Sequence, residues 1–99
     1  MNIQAIMKQA QALQKDMIKA KEEIDKMTFI GESSLVKITI NGQKEVLKVE
    51  IDKENELTKD DIEMLEDMIV VATNSAMKQV DEITEKKMGK FSNSMPGLF

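Results

Sequence analysis

The sequence predicts an α+β chain in the order α-β-β-β-α: a long N-terminal helix, a small antiparallel sheet of two or three strands, and a long C-terminal helix. Three observations predict it. Apolar residues recur every seven positions between residues 2 and 27, they alternate from Leu35 to Ile40 and from Val46 to Ile51, and a helical stripe resumes near Lys59. With 99 residues the chain suits one domain, residues 1–99, and has no room for a second core.

In the first helix Ile3, Ala10, Met17 and Ile24 form one apolar series and Ile6, Leu13, Ala20 and Met27 the other. A mean spacing of about 3.5 residues suits packing along a second long helix, and Ala10 and Ala20 allow close approach. The two alternating segments place Val36, Ile38 and Ile40 on one face, and Leu47, Val49 and Ile51 together. Between them Asn41-Gly42 tolerates positive φ, so an antiparallel hairpin is expected. A two-residue turn would oppose Ile38 with Glu45. A wider turn pairs Ile40 with Leu47, Ile38 with Val49 and Val36 with Ile51, and is the expected register because it keeps apolar residues on one face. Thr28 to Ile30, ended by Gly31, is the candidate third strand.

The second helix is expected from about Lys59 to Lys87, with Ile62, Leu65, Ile69, Ala72, Ala76, Val80 and Ile83 along its stripe. Thr58 and Asp61 have the spacing of a capping box, and carboxylates in the first turns suit the helix dipole. Residues 89–99, with Gly, Ser, Asn and Pro, are expected to form a flexible tail.

Composition narrows the function. The chain has neither cysteine nor histidine, which removes disulfides, thiolate chemistry, the commonest zinc ligand and the usual general base near neutral pH. There is no Gly-rich phosphate loop and no nucleophile motif, so no catalytic residue, cofactor or small-molecule substrate is expected. The acidic run Glu50 to Asp67 has a structural reading as a helix start, and no metal site is expected there. No apolar run approaches ~18 residues and the N-terminus lacks the core of a signal peptide, so a soluble cytoplasmic protein with no membrane partner is expected. All 14 basic residues are lysine, which argues against direct readout of guanine by arginine forks, and the absence of Trp and Tyr argues against stacking on single strands.

A homodimer is expected from shape. A helix of ~29 residues is about 43 Å long whereas a seven-residue strand spans about 23 Å, so the helices overhang the sheet. The second helix is apolar all round at Met68-Ile69-Val70-Val71-Ala72, and such a segment needs cover on every side. Met68, Ile69, Val70 and Val71 are therefore the expected dimer interface, with a two-fold partner supplying the missing cover.

The run Gly31-Glu-Ser-Ser-Leu-Val-Lys-Ile-Thr-Ile-Asn-Gly42, then Val49-Glu-Ile-Asp52, Glu63-Met-Leu-Glu-Asp67 and Ala72-Thr-Asn74, resembles the YbaB/EbfC family in order and spacing. Met7-Lys8-Gln9-Ala10-Gln11 and the closing Met95-Pro96-Gly97 fit the same pattern, so the resemblance covers nearly the whole chain. It implies a tweezer-like homodimer that binds duplex DNA, is associated with the bacterial nucleoid, and has no known catalytic activity. The chain departs from the family at Ser33-Ser34, where glycines are frequent. Composition alone leaves a second reading open, a non-catalytic dimeric protein-interaction module with projecting helices.

The net charge of −4 opposes a polyanion, but it is unevenly spread. Residues 50–67 hold nine acidic groups against two lysines, a local charge of −7, whereas residues 1–27 sum to +1 and residues 86–99 to +3. The expected DNA contacts are Lys8, Lys15 and Lys19 on the first helix and Lys86, Lys87 and Lys90 at the end of the second.

Overall fold

The computed structural model describes residues 2–94. Helix α1 (Ile3–Lys26) leads into strands β1 (Thr28–Ser33), β2 (Val36–Asn41) and β3 (Val46–Ile51), then a single 3₁₀ turn (Lys59–Asp61) opens helix α2 (Ile62–Ser94). The strands form one antiparallel meander in the order β1-β2-β3. The molecule is a rod of 71 × 19 × 14 Å, because α2 alone, at 33 residues and about 1.5 Å per residue, runs for about 50 Å.

Each helix begins where the sequence satisfies its free N–H groups. Asn2 caps α1, its side chain accepting from the Gln4 N–H at 3.0 Å. At the start of α2 the Thr58 N–H donates to the Asp61 carboxylate at 2.8 Å, and the Thr58 hydroxyl donates to the same oxygen at 3.2 Å. The capping-box spacing thus works with Asp in place of Glu.

The main core lies between α2 and the first two strands. Val36, Ile38 and Ile40 alternate inward and meet Phe29, Ala72, Ala76 and Val80. Burial of each branched side chain contributes on the order of 1.5–3 kcal/mol. Small residues set the distance: a Cβ on Gly31 would lie 1.9 Å from the Ala72 carbonyl oxygen, so β1 lies directly on the α2 backbone. A second cluster joins the helices beyond the sheet, where Ile24, Met88 and Phe91 are buried with Leu13, Met17, Ala20 and Ile83 packed around them.

Three expectations are corrected. The hairpin turn is wide, and Ile38 faces Val49 and Val36 faces Ile51 as expected, but Ile40 faces Val46 rather than Leu47 because a bulge interrupts the ladder between Thr39 and Ile40. Positive φ falls not at Asn41-Gly42 but at Lys44, with φ 63°. Asn41 instead organises the turn: its side-chain oxygen accepts from the Gln43 and Glu45 N–H groups at 2.9 and 3.0 Å. Gly42 serves close approach, since a Cβ there would lie 1.8 Å from the Ile24 carbonyl oxygen. The third correction concerns residues 89–94, which continue α2 as helix instead of starting a tail; Phe91 supplies the reason, being buried against α1. The remaining tail residues, 95–99, lie outside the described residues.

Candidate nucleic-acid interface

The site is an arm made by α1 and the last third of α2. Ile24 meets Met88 and Phe91, and Leu13 and Met17 join the same cluster, so the helices run antiparallel and stay in contact as far as Leu13. Before that point α1 has no cover: Ile3 is 72% and Ile6 45% exposed. The hairpin turn fixes the base of the arm. Gly42 touches the end of α1, the Gln43 amide donates to the Asp25 carboxylate at 3.5 Å, and Lys44 pairs with Asp81 of α2 at 2.6 Å. Lys21 donates to Asp25 at 2.5 Å, which holds that carboxyl below the usual carboxylate range.

All six expected contact lysines are exposed. On α1 the intervals of 7 and 11 residues bring Lys8, Lys15 and Lys19 to within about 40° of one another around the helix, on the face opposite Leu13, Met17 and Ile24. Lys26, which the sequence reading did not include, falls on the same line; the 11-residue interval from Lys15 is the signal that identifies it. Glu22 lies three residues from Lys19 and four from Lys26, and Asp16 and Glu23 flank the line to one side. On α2 Lys86 and Lys90 share a face one turn apart, and Lys90 also lies over the Phe91 ring, 5.0 Å from its centroid. Lys86 and Lys87 belong to none of the ion pairs among the described residues. The arm thus gathers Lys15, Lys19, Lys86, Lys87 and Lys90 around one helix pair, with Lys8 further along α1.

The acidic segment is at the other end of the molecule. Nineteen residues separate Asp67 from Lys86 along α2, or about 28 Å of helix. That is more than three Debye lengths of ~8 Å at physiological ionic strength, so the carboxylates barely weaken attraction at the arm. Among the described residues no group of acidic side chains is arranged to hold a metal ion.

The four expected interface residues divide. Met68 and Ile69 are half-buried against the chain's own core, whereas Val70 and Val71 are 58% and 55% exposed. The sequence reading missed a second apolar surface on β3, where Val46, Leu47 and Val49 are each about half exposed because α2 lies over β1 and β2.

A short antiparallel meander flanked by two helices that outrun it, with the most acidic segment, residues 50–67, away from the helical arm, defines a class of small α+β proteins. The fold is shared with the crystal structure of the uncharacterized protein HP0035 from Helicobacter pylori, at a TM-score of 0.75 and 18% identity over 92% of this chain and 97% of that one. The chain belongs to the YbaB/EbfC DNA-binding family, whose model matches residues 1–95. It is 40% identical to a nucleoid-associated protein of Lactococcus lactis subsp. cremoris over 97% of this chain and 98% of that one. It is 39% identical to one of Enterococcus faecalis over 98% and 94%, and 42% identical to one of Streptococcus pneumoniae over 97% and 98%.

Proposed function

We propose that this protein is a cytoplasmic, nucleoid-associated homodimer that binds duplex DNA through lysine-to-phosphate contacts with little preference for sequence. It acts on nucleoid organisation or gene expression by occupancy, without catalysis. The observation that carries the reading is the separation of charge along the rod: Lys8, Lys15, Lys19, Lys86, Lys87 and Lys90 lie on the arm, while the −7 segment lies at the far end of α2. Membership of a DNA-binding family and relatives named nucleoid-associated proteins support it. Lysine is a point charge on a flexible stem and suits phosphate better than bidentate base recognition, which favours backbone contact over readout. Among the described residues no helix is long and apolar enough to cross a membrane.

A homodimer gives the arm a second copy and covers apolar surface that a single chain leaves exposed at Val46, Leu47, Val49 and Val70. Gel-shift titration with two unrelated duplexes at several salt concentrations tests the proposal. Similar affinity for both, with log K falling linearly against log salt at a slope of about −0.9 per phosphate neutralised, is expected. No binding at low salt would leave the protein-interaction reading standing, and a strong preference for one duplex would mean base readout.

A further inference from the structure

We propose that Asn41 is a modification site: when the base of the arm opens, its side-chain amide is lost to attack by the Gly42 nitrogen, and the isoaspartate that results keeps the base open. Of the chain's asparagines only Asn41 precedes glycine, which leaves the attacking nitrogen unshielded by a side chain. The step consumes water alone. The Gly42 N–H gives its proton to hydroxide, the nitrogen attacks the Asn41 side-chain carbonyl carbon, a C–N bond forms, and the bond to Nδ2 breaks with release of ammonia. Water then opens the five-membered imide at one carbonyl or the other, leaving aspartate or isoaspartate at position 41. No atom is oxidised or reduced.

The closed turn withholds both reactants. Asn41 is the last residue of β2, and an extended backbone there holds the Gly42 nitrogen out of line with the side-chain carbon it must reach. The amide is tied at both ends: Oδ1 accepts from the Gln43 and Glu45 N–H groups at 2.9 and 3.0 Å, and Nδ2 donates to the Glu45 carboxylate at 2.8 Å. Gly42 is buried, with no room for a methyl between it and the Ile24 carbonyl, so its peptide cannot swing while the turn sits on α1. Attack therefore requires the turn to leave α1.

The polar contacts that hold it there are weak. The Gln43 amide reaches Asp25 at 3.5 Å, the outer limit of a hydrogen bond, and the Lys44 and Asp81 side chains that pair are 45% and 64% exposed. Opening at this point belongs to the low-cost motions of the molecule. The two products differ in what they do to the turn. Aspartate keeps an acceptor for the Gln43 and Glu45 N–H groups but has no N–H to give Glu45 and sets a second carboxylate beside it. Isoaspartate adds a methylene to the main chain itself, which shifts Gly42 off its seat against Ile24 and carries Gln43 and Lys44 away from their partners. The turn is thus a latch that one reaction disables, and it is so whether or not the arm binds DNA.

Incubation at mildly alkaline pH, followed by peptide mapping with mass spectrometry, reads conversion of the amide at position 41 to acid. The native protein should react about tenfold or more slowly than the same protein in urea, because only the open form reacts. Asp25→Ala combined with Asp81→Ala removes the acceptors of Gln43 and Lys44 and leaves the bonds within the turn, so it should speed the native reaction about threefold or more. The aged, more acidic fraction isolated by ion exchange should then show faster hydrogen exchange across the turn than Asn41→Asp, which has the same charge and a main chain of normal length. Equal rates in the native protein and in urea, or a double variant that reacts no faster than the parent, would overturn the gate at the base of the arm. An aged fraction that exchanges no faster than Asn41→Asp would overturn the latch.

Discussion

The two apolar clusters hold the chain in different ways. In the sheet cluster backbone meets backbone: Gly31 sits on the Ala72 carbonyl, and Val36, Ile38 and Ile40 are sealed beneath α2. In the arm a single layer of side chains, Ile24, Met88 and Phe91, joins two helices whose other faces are in solvent, and the first turns of α1 make no such contact. The first region can specify the fold, and the second can present charge. Lys8, Lys15, Lys19, Lys86, Lys87 and Lys90 lie on the weakly held part, where a helix with only one apolar stripe leaves its other side to solvent. The same difference makes the arm the place where local opening should cost least.

Substitutions should separate the two regions. The largest effect is expected from Gly31→Ala, whose methyl would stand 1.9 Å from one backbone atom of α2 and 2.7 Å from another. Neither atom is a flexible side-chain end, so a drop of about 3 kcal/mol or more is expected in urea denaturation; an unchanged midpoint would show that β1 does not need this approach. Phe91→Ala should cost about 3 kcal/mol at its own site. Hydrogen exchange should then show the amides of α1 becoming less protected while those of β1 and β2 stay as they are. Equal weakening in both regions would mean that arm and sheet unfold as one unit.

These contrasts also show what is legible in the sequence. Period-2 alternation identifies the strands, and the seven-residue repeat identifies α1, because each pattern reports which side of an element is apolar. Alternation cannot report whether anything covers that side, so Leu47 and Val49 read as core although α2 stops at β2. The last turns of α2 are illegible for a related reason: Gly89, Ser92, Asn93 and Ser94 are poor helix formers, and the burial of Phe91 against α1 outweighs them. The bulge at Thr39 and Ile40 has no marker in composition, and it follows from a turn in which Lys44, not Gly42, takes the left-handed position. The lysines are legible as a set and not as a surface. Only the packing of Ile24 with Met88 and Phe91 brings those of α2 and those of α1 onto one arm.

A smaller effect is expected at the β1–β2 turn. Ser34 has φ 48°, where an L side chain is strained and glycine is not, and the family resemblance departs at this same residue pair. Ser34→Gly should raise stability by about 0.5–1 kcal/mol in urea titration. A decrease would mean that the serine side chain contributes more than the backbone strain costs.

The central claim is that DNA attraction is local to the arm although the protein as a whole is acidic. The measurement that tests it most directly compares two triple variants of equal charge in the same salt titration on duplex DNA. One replaces Lys86, Lys87 and Lys90 by Gln on the arm; the other replaces Lys37, Lys53 and Lys59 by Gln, all exposed and all near the sheet and the acidic segment. The arm variant should bind more weakly on unrelated duplexes, with its slope against log salt flattened by up to about 0.9 for each phosphate no longer neutralised, while the sheet variant keeps the parental slope. Equal weakening with equal slopes would mean that net charge alone governs binding, and would contradict the assignment of the arm.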